Sequence, residues 1–169
     1  MHRLDRGTSG LLAAAKHPHA QEVLKSQLHT NAFRRTYLAV CEGVPQMWKG
    51  TIEAPLGPKP GSLMEQMVRP DGKFARTRYK VLGEYGGRAL VELELDTGRT
   101  HQIRVHMAYL GNPLTGDFLY GQEDRELIAR PALHSARLEL CHPVTGERLT
   151  FTAPLPQDME TLLRAGKNF

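Results

Sequence analysis

Hydrophobic and polar residues alternate along two neighbouring segments in the middle of the chain. Residues 73–82 alternate with a period of two, and residues 89–95 (ALVELEL) do so again. This period is typical of half-buried β-strands. The pair Gly86-Gly87 lies between the two segments and suits a tight turn. The pattern therefore predicts an antiparallel β-hairpin.

Other segments repeat their apolar residues every three to four positions, which is typical of helices. Residues 18–30 do so, and Pro18 suits the first turn of a helix. Residues 100–110 do so as well, with Gly111 placed to end the helix. We expect a further short helix over 157–165. The short run GLLAAAK at 10–16 fits either a helix or a buried strand, and the pattern does not decide between them.

The remaining segments favour strands and turns. Residues 35–41 (RTYLAVC) are rich in β-formers, and residues 137–140 and 148–152 flank the turn sequence PVTG. Prolines and glycines between 45 and 72 indicate turns, edge strands and a loop. Strands and helices mix without a regular βαβ order. We therefore predict an α+β fold with a mixed, mainly antiparallel sheet flanked by helices.

Length and composition indicate one globular domain over residues 1–169. The chain has 40% hydrophobic and 24% charged residues, and no apolar stretch approaches the roughly 18 residues of a membrane span. We see no secretory signal and expect a cytoplasmic protein. Cys41 and Cys141 lack the spacing of a zinc or redox site.

Charge is unevenly distributed along the chain. Residues 1–80 carry 13 Lys and Arg against 6 Asp and Glu, whereas residues 81–169 carry 9 against 12. A basic half attracts phosphate backbones, because each neutralised phosphate releases counterions. A partner with a phosphate backbone and a solvated surface that is simply basic both fit this distribution.

Two segments are dense in polar and ionisable residues, HRLDRGTSG at 2–10 and TGRTHQIRVH at 97–106. They resemble the two signature motifs of the RluA-type family of RNA pseudouridine synthases. Segments RTYLA at 35–39, GKFARTRY at 72–79 and GNPLTGDFLYG at 111–121 resemble further family motifs in the same order. The resemblance covers nearly the whole chain.

The resemblance implies an isomerase that converts uridine in rRNA or tRNA to pseudouridine, without a cofactor or a metal. It implies Asp5 as the nucleophile, which attacks the sugar or the pyrimidine ring. Arg104 is the implied partner that keeps Asp5 ionised. Tyr37 is expected to stack on the flipped uracil and to take part in removing the proton from carbon 5.

The resemblance also predicts residues that bind RNA. Arg3 is expected to enter the space that the flipped base leaves, since flipping costs a few kcal/mol of stacking. The predicted RNA contacts are Arg3, His2, Arg6, Arg35, Lys73, Arg99 and His101. We expect RNA as the partner, with no membrane and no obligatory protein partner.

The chain starts at the first motif, whereas family members have an upstream segment and often an S4-like module. We therefore expect a catalytic domain that is short at its N-terminus and has no S4-like domain. An alternative is an RNA-binding module without catalysis, because the N-terminal scaffold is missing. A metal-dependent hydrolase is disfavoured, since His101 and His106 do not have the i, i+4 spacing of a helical zinc pair.

Overall fold

The computed structural model describes residues 3–28 and 30–165. In chain order the elements are β1 (Ser9–Gly10), α1 (Pro18–Gln27), β2 (Arg34–Glu42), β3 (Lys49–Glu53), β4 (Leu56–Pro58), β5 (Gln66–Val68), β6 (Arg76–Tyr85), β7 (Arg88–Leu95), α2 (Gln102–Tyr109), β8 (Leu133–Cys141), β9 (Arg148–Thr152) and α3 (Gln157–Ala165). The predicted α+β fold is confirmed.

One sheet forms the centre of the fold, with strands in the order β1-β8-β2-β7-β6-β3. The β1–β8 pair is parallel, and the other pairs of this sheet, including β8–β9, are antiparallel. Strands β4 and β5 form a separate two-stranded ribbon. The predicted hairpin is β6 and β7, and the second predicted hairpin is β8 and β9.

The two faces of the sheet pack against different helices. On β2, Tyr37 and Ala39 belong to a cluster that includes Met107 of α2. Val40, which alternation places on the opposite face, packs with Met159 of α3. The sheet is therefore buried on both faces at β2. This places the β2 side chains of one face next to the N-terminal end of α2.

The segment that the pattern left open is a strand followed by extended chain. Gly10 pairs with Ser135 of β8, and a Cβ on Gly10 would lie 2.2 Å from the Ser135 carbonyl oxygen. Leu11, Ala13 and Ala15 then point into one apolar cluster. Their spacing of two residues fits an extended chain and excludes the helix.

The helices α2 and α3 fall where the sequence predicts them, and α1 ends three residues before the predicted boundary at Thr30. Across the ranges that the structure describes, no helix has the length and apolar character needed to span a membrane.

Candidate active site

The loop that carries Asp5 is a tight turn, and hydrogen bonds hold it in place. The backbone N–H of Thr8 donates to the Asp5 carbonyl at 3.0 Å, and Gly7 takes the positive φ of 86° that favours glycine. Arg130 donates to the Gly7 carbonyl at 3.1 Å. The same guanidinium makes two hydrogen bonds to Asp158 of α3, at 2.7 and 2.9 Å. Arg130 therefore anchors the Asp5 loop to the body of the fold.

Asp5 faces a cavity of about 210 Å³, which we call the Asp5 cavity. Its walls come from the Asp5 loop, from β2 and from the segment that leads into α2. Arg3, Asp5, Arg35, Tyr37 and Arg99 all line it. The two polar motifs, about a hundred residues apart in sequence, thus meet at one cavity.

Strand β2 contributes two buried side chains to this cavity, Arg35 and Tyr37. They lie two residues apart and so share one face of the strand. Burial raises the pKa of Tyr37, the charge of Arg35 opposes this shift, and the charge of Asp5 adds to it. The Tyr37 phenol is therefore protonated at neutral pH.

Arg35 is a buried side chain and not an exposed surface arginine. It is 7% exposed, and its guanidinium carbon lies 5.9 Å from the centre of the Phe33 ring. Burial lowers the pKa of Arg35, and the nearby Tyr37 opposes the shift. The side chain is a cavity wall rather than a solvated charge.

Arg104 makes its hydrogen bonds to Asp117 and not to Asp5. Its Nε and Nη2 donate to the two Asp117 oxygens at 2.7 and 2.6 Å. Arg104 is 2% exposed and Asp117 is fully buried. Burial lowers the pKa of Arg104, but the hydrogen bonds and charge of Asp117, together with the charge of Asp5, raise it overall. Asp5 therefore influences Arg104 through charge, while Asp117 fixes its orientation.

The turn that contains Asp117 also packs on Arg104 from a second side. The guanidinium carbon of Arg104 lies 5.0 Å from the centre of the Tyr120 ring and 5.5 Å from that of Phe118. Asp117 in turn accepts from the backbone N–H groups of Leu119 and Tyr120. The guanidinium is held by a carboxylate and by two rings, so it has one defined position.

His101 precedes α2 in a strained backbone conformation. It is the non-glycine residue with positive φ, 55°, in the described ranges. The Tyr120 hydroxyl accepts from the backbone N–H of Gln66 at 2.8 Å and lies 2.7 Å from His101 Nδ1. Burial lowers the pKa of His101, against the opposing charge of Asp5. The Tyr120 hydroxyl therefore joins His101, which precedes α2, to the β4–β5 ribbon.

Three polar residues fix α2 on the sheet, and we call Thr77, Gln102 and His106 the α2 network. Gln102 Nε2 donates to Thr77 Oγ1 at 3.0 Å, and Thr77 Oγ1 lies 2.8 Å from His106 Nδ1. His106 Nε2 lies 3.0 Å from the Ala54 carbonyl, which can only accept. His106 therefore donates from Nε2 and accepts from Thr77 at Nδ1.

The other predicted RNA contacts lie at different cavities and grooves of the surface. Arg3 and Arg99 are exposed and line the Asp5 cavity, and Arg99 also donates to the Phe74 carbonyl. Lys73 lines a neighbouring groove that shares Arg99, and Arg6 lines a separate one. His2 lies outside the described residues.

Three residues of this site were not predicted from the sequence. Asp117 belongs to the quoted segment at 111–121, so a search for a carboxylate partner of Arg104 could have found it. Arg130 and Asp158 carry no motif signal. Their roles depend on contacts between the Asp5 loop, the segment before β8 and α3, which only the fold brings together.

Comparison with known proteins gives consistent matches. The family model described as RNA pseudouridylate synthase matches residues 1–109. An uncharacterized RNA pseudouridine synthase of Bacillus subtilis (strain 168) is 48% identical over 166 residues, which cover 98% of this chain and 58% of the relative. Ribosomal large subunit pseudouridine synthase D of Nitrosomonas europaea is 42% identical over 176 residues, which cover 99% of this chain and 51% of the relative.

A solved structure is similar over the whole fold. The human RNA pseudouridylate synthase domain containing 1 gives a TM-score of 0.78 at 27% identity, covering 99% of this chain and 79% of that chain. The chain spans about half the length of the curated relatives it matches.

Proposed function

The chain belongs to the RNA pseudouridylate synthase family, and on that premise we propose that it isomerises uridine in RNA to pseudouridine with Asp5 as the nucleophile. The resemblance to the RluA-type family is confirmed by the relatives named ribosomal large subunit pseudouridine synthase D. The observation that carries the proposal is the meeting of Asp5, Tyr37 and Arg3 at one cavity.

The proposed reaction starts when the target uridine leaves the RNA stack and enters the Asp5 cavity. The Asp5 carboxylate attacks the sugar or the pyrimidine ring, and the bond between N1 of the base and C1′ of the sugar breaks. The freed base turns, and its carbon 5 bonds to C1′ as Asp5 is released. The proton on carbon 5 then passes to water, directly or through the Tyr37 hydroxyl, and N1 takes up a proton from water. The product has the same atoms as the substrate.

Tyr37 and Arg104 support this reaction in different ways. The raised pKa of Tyr37 keeps its phenol protonated at neutral pH, and a neutral phenol is a weak base, so we assign Tyr37 mainly to stacking on the uracil. The positive charge of Arg104 interacts with the negative charge of Asp5, which contributes to the raised pKa of Arg104. The Arg104–Asp117 pair keeps that charge in place.

The proposed substrate is ribosomal RNA, with transfer RNA as the alternative. Two relatives are named for the large ribosomal subunit, which supports the first choice. We propose Arg3 as the residue that fills the space of the flipped base, and Arg6, Lys73, Arg99 and His101 as RNA contacts. The cytoplasm is the proposed place of action. That residues 1–169 form one catalytic domain stays a prediction.

Asp5→Asn tests the proposal directly. With RNA that contains 5-tritiated uridine, we expect the variant to release no tritium, because an amide cannot act as the nucleophile. Its RNA affinity should stay close to that of the wild type. Asp124→Asn is the matched control, since Asp124 is exposed and accepts only local backbone hydrogen bonds.

Tritium release by Asp5→Asn at the wild-type rate would remove Asp5 from the mechanism. If the wild-type chain binds RNA but forms no pseudouridine, the RNA-binding alternative replaces the proposal.

A further inference from the structure

Arg35 is a buried arginine whose Nε has no hydrogen-bond partner within residues 3–28 and 30–165. Its side chain also forms no ion pair in these ranges, and the residue is 7% exposed. Arginine is almost never this buried unless it is paired, because taking a charge out of water costs several kcal/mol. A buried guanidinium that lines a cavity is therefore placed for an anionic ligand.

The position of Arg35 in the fold defines where that ligand lies. Arg35 lines the Asp5 cavity and also a second groove beside it, and Leu95 is shared in the same way. The guanidinium thus stands at the junction of the two spaces. An RNA strand that runs from this groove into the Asp5 cavity therefore passes Arg35.

The other arginines of that groove already have carboxylate partners. Arg34 contacts Glu94 at 3.1 Å, and Arg78 contacts Asp96 at 2.7 Å. Arg76 contacts Glu53 at 2.9 Å. These charges are balanced within the protein, whereas Arg35 has no carboxylate partner among the described residues.

We propose that Arg35 binds a phosphate directly attached to the uridine that enters the Asp5 cavity, either on its 5′ or on its 3′ side. The inference rests on the proposed function and adds a phosphate subsite to it. A uracil carbonyl could also accept from Arg35, but it is neutral and leaves the buried charge unbalanced. A phosphodiester balances the charge and matches the planar fork of a guanidinium.

The spacing along β2 agrees with this assignment. Arg35 and Tyr37 share a face and lie roughly 7 Å apart along the strand. A base stacked on Tyr37 therefore leaves its own sugar and phosphate within reach of Arg35. One nucleotide can contact both residues.

The test uses short RNA substrates in which one phosphate next to the target uridine, on the 5′ or on the 3′ side, is a neutral methylphosphonate. For the wild-type chain we expect one of the two positions to lower kcat/KM by roughly 10- to 100-fold, the range for a charge-assisted hydrogen bond. Arg35→Gln should lose a similar factor on unmodified RNA. It should then lose little more on the sensitive methylphosphonate RNA, because the contact is already gone.

Two control variants separate this role from folding and from general charge. Arg88→Gln also removes a partly buried arginine, but Arg88 is paired with Glu42 at the far end of β2. This variant should keep the full sensitivity to the methylphosphonate. Arg35→Lys keeps the charge and should recover part of the activity. Thermal unfolding of each variant is measured in parallel to show that the variant is folded.

The proposal is overturned if the losses from Arg35→Gln and from the methylphosphonate multiply, or if neither methylphosphonate affects the wild type. If the wild-type chain forms no pseudouridine, the proposed function fails separately. The binding affinities for the same unmodified and methylphosphonate RNAs are then measured. If the methylphosphonate weakens binding equally for the wild type and for Arg35→Gln, the phosphate subsite is overturned.

Discussion

Two regions of the molecule differ in whether their buried polar atoms have hydrogen-bond partners. In the α2 network each side-chain donor and acceptor of Thr77, Gln102 and His106 has a protein partner. At the Asp5 cavity, Arg35 keeps its Nε without one. A complete network stabilises a fold, whereas an incomplete site leaves bonds for a ligand to make. The difference separates the residues of the family motifs that support the site from those that face the Asp5 cavity.

The Arg104–Asp117 pair extends the comparison, since it is as buried as the α2 network and the charge of Asp5 acts on Arg104. The pair therefore supports the site and does not line the Asp5 cavity. We therefore expect substitutions in the supporting groups to lower stability, and substitutions in the cavity to lower function.

The largest expected effect is that of Asp117→Ala. It leaves the buried Arg104 charge without its carboxylate, which costs about 3–5 kcal/mol of unfolding free energy. Denaturation in urea, followed by circular dichroism, measures the loss. Asp71→Ala is the control, because its ion pair with Arg69 is exposed and should leave the urea midpoint nearly unchanged. Equal midpoints for both variants would contradict the supporting role of Asp117.

The next effect contrasts the two regions directly. Thr77→Val keeps the shape of the side chain but removes the hydroxyl that bonds Gln102 Nε2 and His106 Nδ1, so we expect a loss of about 1–3 kcal/mol. Arg35→Met removes a buried charge that has no hydrogen bond on Nε, and it should leave the unfolding free energy unchanged or higher. Both are measured by the same urea titration.

Thr51→Val, on the exposed face of β3, controls for the change of side chain in the first variant. A larger loss for Arg35→Met than for Thr77→Val would reverse the distinction between the cavity and the network.

The smallest effect is a dependence of stability on pH. Burial lowers the pKa of His106 below its ordinary value of 6.5, and the Ala54 carbonyl opposes the shift. The unfolded chain therefore takes up the proton first as the pH falls. The contribution of neutral His106 is present above the unfolded pKa and is lost as the pH falls below about 6.5.

His106→Gln should consequently lose less stability than the wild type between about pH 7.5 and pH 5.5. Burial also lowers the pKa of His101 and His134, so part of the wild-type loss stays in the variant. Identical pH slopes for the two proteins would show that His106 does not titrate on unfolding.

Much of the fold could be predicted from residue patterns. The periods of two and of three to four residues place β6, β7, α1 and α2 close to their observed bounds, because each element buries one face and therefore repeats its apolar residues. The segment at 10–16 could not be decided, since a run of small apolar residues fits both a helix and a strand. Its pairing with β8 decides it.

The sequence by itself determined the family and the chemistry of the two motifs, because these depend on which residues are present and in which order. Only the tertiary structure decided the partners. Arg104 bonds Asp117 rather than Asp5, Arg35 is buried rather than solvated, and Arg130 reaches Gly7 across the fold. Motifs distant in sequence become neighbours only when the sheet forms. The strength and direction of each charge then depend on burial, which a linear pattern does not contain.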